Sequence, residues 1–410
     1  MVTDVIVIGG GAAGLCSAVY LKQKNPKLSI RVMEAMPRVC KKLLITGNGR
    51  CNITNKNNSL SNFHGENIEF ARYALEKYGE TASCNFFENI GVPFVFEGEK
   101  GYPASLQASS VVDALRFSAE NLGVIIHTEA KVSNIQIQRG KYKVSTDKLS
   151  FLADNIVIAC GLLSGGERLG NDGSMLELLK KAGFKAVKTS PAIVQLKTET
   201  DIVKQLKGIK TDATVSLYFG NKICRKEFGE VLFCDYGLSG PAVMQVSRAV
   251  SRTKETPIIS LDIMPDTDYT HLLSSLIKRR SNLGYRTLEE FLTGMLNKRL
   301  GQVIIKSSGL KLSEKAETLT DKNLEEIARL IKDFRFKVTG TTGYSNSQVT
   351  AGGLDTTQFD EKTMEAKLNR GLYAIGEILD IDGDCGGFNL KWAWASAICA
   401  AESILRGYKK

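Results

Sequence analysis

The sequence contains no long uninterrupted hydrophobic segment. None of its apolar runs reaches the roughly 18 to 20 residues that a membrane-spanning helix needs. A strand-like run begins at Val2 and leaves no room for a charged leader segment with a cleavage site. We therefore expect no membrane partner and a cytoplasmic location.

Histidine is scarce, and the cysteines show no paired spacing. The three histidines, at positions 64, 127 and 271, are too far apart to form a helical or loop metal site. The nine cysteines are odd in number and include no C-x-x-C pair, which argues against a disulfide scaffold and a structural zinc ion. There is also no C-x-x-x-x-C pair and no His-Glu dyad, which argues against a disulfide reductase. We expect no metal.

Charge is plentiful but is not concentrated. Of the 410 residues, 43% are apolar and 24% are charged, as is typical of a globular chain with length for two or three domains. Lysine and arginine exceed aspartate and glutamate by 54 to 44, a net charge of +10. The basic residues are interleaved with acidic ones. This pattern indicates general solubility first and an anionic partner second.

A glycine-rich turn near the N-terminus has the setting of a dinucleotide-binding fingerprint. The apolar residues 4–8 predict a strand buried on both faces, and G-G-G-A-A-G follows at residues 9–14. The next segment predicts a helix that ends at Pro26, and residues 29–33 predict a second strand that leads into Glu34. This order predicts a βαβ unit that binds an adenosine diphosphate group.

Each residue of the fingerprint has a physical role. Gly9 permits the tight turn, Gly11 lets backbone N–H groups approach a pyrophosphate, and Gly14 allows close packing of helix on strand. The helix N-terminus adds partial positive charge. The carboxylate of Glu34 is expected to accept the ribose hydroxyls of an adenosine. FAD and NAD carry the same ADP half, so the turn alone leaves both open.

Residues 41–55, K-K-L-L-I-T-G-N-G-R-C-N-I-T-N, suit a loop laid against a polar ligand. They resemble the loop G-R-K-L-L-x-S-G-G-G-R-C-N-x-T-N of the BaiN-like flavoproteins, a family that includes enzymes described as aminoacetone oxidases and dehydro-bile-acid reductases. Cys40 and Asn48 stand where that family has glycines, which predicts a local difference in the backbone.

Two later segments carry the same resemblance. Residues 151–161, F-L-A-D-N-I-V-I-A-C-G, resemble the strand and A-T-G turn that bring backbone against the cofactor in such flavoproteins. Residues 371–395 nearly retrace the family's G-L-Y-F-A-G-E-x-L-D-x-D-G-x-x-G-G-Y-N-L-Q-W-A, and the glycines at 386–387 are expected to open a helix.

The resemblance implies FAD as the cofactor and assigns residues to it. It places Glu377 near the ribityl and pyrophosphate groups, and the backbone of Gly387, Asn389 and Leu390 at the isoalloxazine. Trp392 and Trp394 are expected to pack rather than to stack on the flavin. The predicted cofactor-binding set is Gly9, Gly11, Ala13, Gly14, Glu34, Lys42, Gly49, Arg50, Val132, Ala159, Gly161, Gly376, Glu377, Gly387, Asn389 and Leu390.

Candidate polar side chains at the flavin are Arg50, Asn52, Tyr102 and Asn389, and the first three are the candidate catalytic residues. The Tyr102 hydroxyl is suited to donate a proton to a reduced alkene. Structural alternatives stay open at this point: turn satisfaction for Arg50 and Asn52, packing for Tyr102, and solvated turn acids for Glu377 and Asp380.

The middle of the chain has a different character. Residues 190–262 alternate as strands with glycine turns, and residues 267–334 have helical periodicity. We predict an α/β fold with a Rossmann-like FAD-binding domain, split in sequence, and an inserted substrate domain that is partly β-rich and partly helical. The predicted borders are 1–190 and 336–410 for the FAD-binding domain, 191–265 for the β-rich part and 266–335 for the helical part, with a return through the β-rich part considered for 336–352.

These features predict an FAD-dependent oxidoreductase. No second complete G-x-G-x-x-G is present, so NAD(P)H is expected only as a transient electron donor. By resemblance, the first hypothesis is reduction of an activated C=C bond in an oxo-steroid such as a 3-dehydro-bile acid. The alternatives are a peroxide-producing amine oxidase of the aminoacetone type and a flavin-bearing protein that binds or modifies RNA. The basic residues at 278–280 and 298–299 are interpreted as solvated helix faces, so a small molecule is favoured over nucleic acid, and the oligomeric state is left open.

Overall fold

The computed structural model describes residues 2–253 and 255–408, which form two compact units. Unit 1 comprises the described residues up to Pro191 together with those from Tyr344 onward. Unit 2 runs from Ala192 to Gly343. The expected α/β fold with a split Rossmann-like domain is confirmed.

The described residues form twenty strands and twelve α-helices. The strands are β1 (Val2–Ile8), β2 (Ile30–Met33), β3 (Thr54–Asn55), β4 (Phe63–His64), β5 (Phe94–Glu97), β6 (Lys100–Pro103), β7 (Ile125–His127), β8 (Asn134–Gln138), β9 (Lys141–Ser145), β10 (Ser150–Ile158), β11 (Ala186–Ala192), β12 (Leu196–Thr198), β13 (Lys210–Phe219), β14 (Lys222–Cys234), β15 (Gly237–Ser239), β16 (Pro257–Asp262), β17 (Phe334–Thr341), β18 (Val349–Leu354), β19 (Leu372–Ala374) and β20 (Asp382–Gly383). The helices are α1 (Ala12–Lys24), α2 (Arg72–Tyr78), α3 (Glu80–Asn89), α4 (Ala108–Asn121), α5 (Ser174–Lys181), α6 (Thr200–Gln205), α7 (Pro241–Ser251), α8 (Tyr269–Leu283), α9 (Leu288–Phe291), α10 (Lys298–Ser307), α11 (Asp321–Lys332) and α12 (Phe388–Gly407). Short 3₁₀ helices include Leu43–Gly49 and Gly376–Ile378.

The central sheet of unit 1 is parallel at its core. Strands β7, β2, β1, β10 and β19 lie side by side in that order, and all four pairings are parallel. The edge of β10 that faces away from β1 pairs with β19 near its end and with the antiparallel strand β9 near its start, and β9 pairs in turn with β8. In β1, Val5, Ile6 and Val7 have no exposed surface, as expected for a β-branched strand covered on both faces.

The parallel strands end at one edge of this sheet. Ile8 at the end of β1 pairs with Met33 of β2 and with Ile158 of β10, and Ile158 pairs with Ala374 of β19. The residues that follow these strands therefore meet at that edge, which is where ligands bind in open α/β sheets.

Unit 2 contains a closed barrel of strands in the order β12-β15-β14-β13-β16-β17. Its hydrophobic core is shared with the helices, because barrel residues such as Val215 and helical residues such as Leu276 and Ile327 belong to one buried cluster. The border drawn at 335/336 falls inside β17, which pairs with β12 and β16 and runs to Thr341 as one strand. The four-part division of the chain stays a prediction.

Candidate dinucleotide-binding site

The turn after β1 needs glycine at two positions because of its neighbours. Gly9 has φ +106°, and a Cβ atom there would lie 2.6 Å from the Cα atom of Cys160. A Cβ atom on Gly14 would lie 1.9 Å from the carbonyl oxygen of Gly9. These two glycines therefore allow α1 and the end of β10 to approach the end of β1.

Gly11 has a different environment. It precedes α1 with φ −82°, and a Cβ atom there would meet nothing within 4 Å. No side chain among the residues that the structure describes caps the first N–H groups of α1. An uncapped helix N-terminus carries partial positive charge and free donors, so open space in front of it suits a pyrophosphate.

Glu34 closes this turn from the end of β2. Its Oε2 accepts a hydrogen bond of 2.8 Å from the backbone N–H of Gly10, and its Oε1 accepts one of 2.7 Å from that of Met36. Burial raises the pKa of the Glu34 carboxyl, and these hydrogen bonds oppose the rise. The carboxylate is fixed in place, and each oxygen keeps a further lone pair for a hydroxyl donor.

Five further residues of the predicted set lie around the same sheet edge. A Cβ atom on Gly376 would lie 3.2 Å from the Cβ atom of Ala13, so the segment after β19 packs closely against the start of α1. Ala159 is buried after β10, and Gly161 follows with φ +65°. Val132 is buried in the segment after β7, which neighbours β2 in the sheet.

Glu377 joins three separate segments of unit 1. Its Oε2 accepts a hydrogen bond of 2.6 Å from Nζ of Lys42, and its Oε1 accepts from the Ser164 hydroxyl at 2.6 Å and the Thr350 N–H at 3.2 Å. Lys42 also donates to the Ser164 hydroxyl. The alternative of a solvated turn acid is wrong for Glu377, and also for Asp380, which is 1% exposed.

The loop around Lys42 contains several left-handed residues. Cys40 has φ +54° and Asn48 has φ +55°, which is the conformation that glycine adopts most readily. Cys40 and Asn48 therefore adopt the left-handed conformation although neither is glycine, and the expected difference from the family's backbone stays a prediction. Gly49, with φ +81°, has nothing within 4 Å of a Cβ position, so its backbone is open to a ligand.

Arg50 and Tyr102 form a stacked pair. The Cζ atom of Arg50 lies 4.4 Å from the centroid of the Tyr102 ring, and the guanidinium donates to the carboxylate of Glu97. Tyr102 is 8% exposed, and burial raises the pKa of its phenol. The hydroxyl therefore keeps its proton at neutral pH and is able to donate it.

The start of α12 lies against the segment that carries Asn52. A Cβ atom on Gly387 would lie 2.7 Å from Oδ1 of Asn52 and 2.6 Å from the carbonyl oxygen of Thr54. Oδ1 of Asn52 and Oγ1 of Thr54 are buried and have no hydrogen-bond partner among the described residues. Within the described part of the chain, no side chain caps the N-terminus of α12, as at α1. A buried amide oxygen without a partner beside an uncapped helix start, as at Asn52, fits a polar ligand group there.

The chain belongs to a known family. A model of the family described as HI0933-like protein Rossmann domain matches residues 3–403. This chain is therefore an HI0933-like Rossmann-domain protein. The resemblance to BaiN-like flavoproteins is confirmed, and the same match supports FAD as the dinucleotide.

Two relatives match over almost their whole length. The chain is 32% identical to a 3-dehydro-bile acid delta(4,6)-reductase of Clostridium scindens, over 97% of this chain and 98% of that protein. It is 28% identical to a ribosomal RNA dihydrouridine synthase of Haemophilus influenzae, over 98% of this chain and 99% of that protein. A solved 3-ketosteroid delta1-dehydrogenase of Sterolibacterium denitrificans shares the fold, with a TM-score of 0.50, 12% identity, and coverage of 99% of this chain and 100% of that chain.

In this HI0933-like protein, the Asn389 side chain is engaged within its own turn. Its Oδ1 accepts a hydrogen bond of 2.8 Å from the Gly383 N–H, and its Nδ2 donates to the Gly383 carbonyl at 2.7 Å. The amide of Asn389 is therefore not available as a polar side chain at a flavin, and only its backbone is left for that role.

The neighbouring residues of α12 face the core. The indole N–H groups of Trp392 and Trp394 donate to the carbonyls of Gly376 at 3.1 Å and Ile53 at 3.0 Å, and both rings are buried. This is the packing role that was expected. Leu390 is half-buried and packs against the same core.

Sequence reasoning missed two features next to this site, a histidine–aspartate pair and a buried lysine. The sequence shows no His-Glu dyad, yet Nε2 of His64 lies 2.8 Å from Oδ1 of Asp384. These residues are 320 positions apart, so no spacing rule brings them together. The other is Lys391 in α12, which is fully buried. The position of this lysine among apolar residues of a predicted helix was the sequence feature that could have indicated its burial.

Two further findings concern metal ions and membranes. Among the residues that the structure describes, no group of His, Cys, Asp and Glu side chains is arranged to hold a metal ion. No helix within the same residues combines the length and apolarity needed to cross a membrane. The cytoplasmic location stays a prediction.

Proposed function

We propose that this HI0933-like protein binds one FAD at the sheet edge of unit 1 and is an FAD-dependent oxidoreductase. The family match over residues 3–403 supports the cofactor. The open space at Gly11 and the fixed carboxylate of Glu34 support the ADP end of the site. The partnerless Oδ1 of Asn52 beside Gly387 supports the flavin end. When bound, FAD supplies hydride acceptance and delivery.

In this proposal, the residues of the chain bind and orient the dinucleotide. The N–H groups at the start of α1 bind the pyrophosphate, and Glu34 accepts the ribose hydroxyls. Glu377, held by Lys42, contacts the ribityl region. We propose that the backbone of Gly49 also contacts the dinucleotide, since none of the described residues comes within 4 Å of its Cβ position.

We propose NAD(P)H as the electron donor and a C=C bond conjugated to a carbonyl, in an oxo-steroid-like molecule, as the acceptor. The observation that carries this choice is 32% identity over 97% of the chain to a 3-dehydro-bile acid delta(4,6)-reductase. NAD(P)H has no glycine fingerprint of its own in this sequence, so it binds transiently.

The proton that completes the reduction is assigned to Tyr102. Its phenol is buried, holds its proton at neutral pH, and lies on β6 beside β3, which leads from Asn52. Arg50 covers the ring and orients it. Asn52 presents a buried oxygen without a partner toward the start of α12, where it is suited to bind substrate or flavin.

The second candidate function is reduction of uridine in ribosomal RNA. Dihydrouridine is uridine whose ring C=C bond, conjugated to a carbonyl, has been saturated, so the reaction type is the same. The rRNA dihydrouridine synthase relative supports it. Residues 192–343 carry 24 lysines and arginines against 18 aspartates and glutamates, a net charge of +6, compared with 30 against 26 in the rest of the chain. An excess of positive charge favours a phosphate backbone.

Anaerobic stopped-flow spectroscopy separates these readings. The FAD-loaded protein is mixed with NADH or NADPH, and the reduced protein is then mixed with a 3-oxo-4-ene steroid, with an unmodified rRNA fragment, or with oxygen. Rapid bleaching by NAD(P)H followed by reoxidation by the steroid is expected. Reoxidation by the RNA alone would favour the second candidate. Bleaching only by an amine such as aminoacetone would overturn the reductase in favour of an oxidase.

A further inference from the structure

Lys391 is a fully buried lysine whose three donors are all used. It lies in the first turn of α12 and has no exposed surface. Its Nζ donates to the carbonyl of Asn55 at 3.0 Å, to the carbonyl of Asn57 at 2.9 Å, and to Oδ1 of Asn58. An ammonium group has three N–H donors and no acceptor, so donors and acceptors match one to one.

The segment that Lys391 holds is tied a second time to the start of α12. Nδ2 of Asn55 donates to the carbonyl of Gly386 at 2.9 Å, and Asn55 is 4% exposed. Thr54, the neighbour of Asn55 on β3, lies against Gly387. The Lys391 ammonium therefore fixes the same short strand whose other contacts shape the helix start.

We propose that Lys391 is a positioning residue for the flavin end of the dinucleotide site, which it organises by holding residues 55–58 against the first turn of α12. This inference rests on the proposed FAD site. The three acceptors of the Lys391 ammonium lie in residues 55–58, so its effect on the cofactor passes through Asn55, Thr54 and the glycine pair at 386–387.

The hydrogen-bond count makes this role depend on the charge of Lys391. A neutral amine donates only two hydrogen bonds, so deprotonation leaves one of the three buried acceptors without a donor. Burial lowers the pKa of Lys391 to about 8, and the negative charge of Glu80 on α3 opposes this. The Cys84 thiol titrates far from this range, since burial raises its pKa to about 12. Deprotonation of Lys391 therefore begins at mildly alkaline pH.

The first test uses the unaltered protein. The dissociation constant of FAD is measured by quenching of flavin fluorescence in steps from pH 6.5 to about 9.5, the range around the shifted titration. We expect a constant value in the lower part of the range and about a tenfold weakening above pH 8, the order expected for one buried acceptor that loses its donor. A dissociation constant that does not change with pH would overturn the proposal, whereas failure to bind FAD at any pH would count against the proposed function instead.

Three variants separate positioning from general stability. The amide of Lys391→Gln donates hydrogen bonds but does not titrate, so the FAD affinity of this variant is expected not to change with pH. Its affinity for FAD is expected to lie between the affinities of the wild type and of Lys391→Met. Lys332→Met is the matched control, because Nζ of Lys332 in unit 2 also has three partners, the carbonyls of Met264 and Thr267 and the carboxylate of Asp262. The Lys332→Met protein should have a lower melting temperature than the wild type, and its FAD affinity should depend on pH as in the wild type. A pH profile in Lys391→Gln that matches the wild type would contradict the assignment.

Discussion

Lys42 and Glu377 are 335 residues apart in the sequence, yet Nζ of the lysine lies 2.6 Å from Oε2 of the glutamate. The side chains are 28% and 18% exposed, so water screens the pair only in part. Ser164 and the backbone of Thr350 bind the other carboxylate oxygen. The two ends of unit 1 are thereby joined at the sheet edge where we propose that FAD binds.

A double-mutant cycle tests how strongly this ion pair couples the two ends. Lys42→Met and Glu377→Gln should each lower the free energy of unfolding, and the double variant should lose less than the sum of the two. We expect a coupling of about 1 kcal/mol, because the pair is partly buried and hydrogen-bonded. Urea unfolding of the four proteins at one pH gives the value. If the losses of the two single variants simply add up in the double variant, the ion pair contributes nothing to the free energy of unfolding.

Gly11 and Gly14 should respond in opposite ways to the same substitution. Gly14→Ala places a methyl group 1.9 Å from the carbonyl oxygen of Gly9 and should destabilise the fold by about 2–3 kcal/mol. Gly11→Ala meets no neighbour and has a φ that alanine accepts, so its stability should stay near the wild-type value. Its methyl group would stand before the N–H groups of α1 and weaken FAD binding about tenfold.

Thermal unfolding of the apoproteins and FAD titration measure both effects. The two variants are matched, because each adds one methyl group and the two positions are three residues apart. An unstable Gly11→Ala protein, or one with full FAD affinity, would contradict the proposed pyrophosphate position.

Glu34 should strengthen FAD binding but lower the stability of the folded apoprotein. Burial raises its pKa in the folded apoprotein, so the folded state holds the proton more tightly than the unfolded state does. The free energy of unfolding should therefore fall as the pH rises from the ordinary carboxyl pKa of about 4 through the raised pKa of Glu34. Glu34→Gln does not ionise and should reduce this fall.

The same substitution should weaken FAD binding by roughly tenfold to a hundredfold, since a charge-assisted hydrogen bond to a hydroxyl contributes about 1.5–3 kcal/mol. Urea unfolding of apoprotein at several pH values gives the stability, and fluorescence titration gives the affinity. Equal affinity in Glu34→Gln and wild type would remove Glu34 from the ribose site.

Tyr102→Phe tests the proton donor. Loss of the hydroxyl should slow alkene reduction by about a hundredfold or more, which is the usual contribution of a general acid. Reduction of the flavin by NAD(P)H should be unaffected, because that step needs no proton from Tyr102. Stopped-flow measurement of the two half-reactions separates these steps.

His64→Asn is the comparison variant for this experiment. Nε2 of His64 is paired with Asp384 near the turn that opens α12, so His64 is the other candidate for proton transfer. If the alkene step slows in His64→Asn and not in Tyr102→Phe, the donor role passes to His64.

Local patterns were sufficient to predict the parallel strands and the glycine turn. The buried run of β1, the glycines at 9–14 and the acid after β2 act through neighbours close in sequence, where steric limits on φ and ψ and side-chain periodicity are decisive. The opening of α12 at Gly387 was predicted for the same reason. The position of each of these elements follows from its own residues.

Long-range side-chain pairs could not be predicted in this way. The pairs His64 with Asp384 and Lys391 with Asn55 depend on how distant segments fold back, and their spacing carries no signal. The amide of Asn389 was predicted to face the flavin but bonds to Gly383, because a turn six residues away competes for it. The predicted border at 335/336 lies inside β17, and the return of residues 336–352 through the β-rich part was considered as an alternative.

Titration of the apoprotein with FAD tests the central claim most directly, that both ends of unit 1 bind one FAD. We predict saturation at one FAD per chain, with affinity lowered by Gly11→Ala near the N-terminus and by Glu377→Gln near the C-terminus. The absence of saturable FAD binding, or binding that neither substitution weakens, would contradict this account.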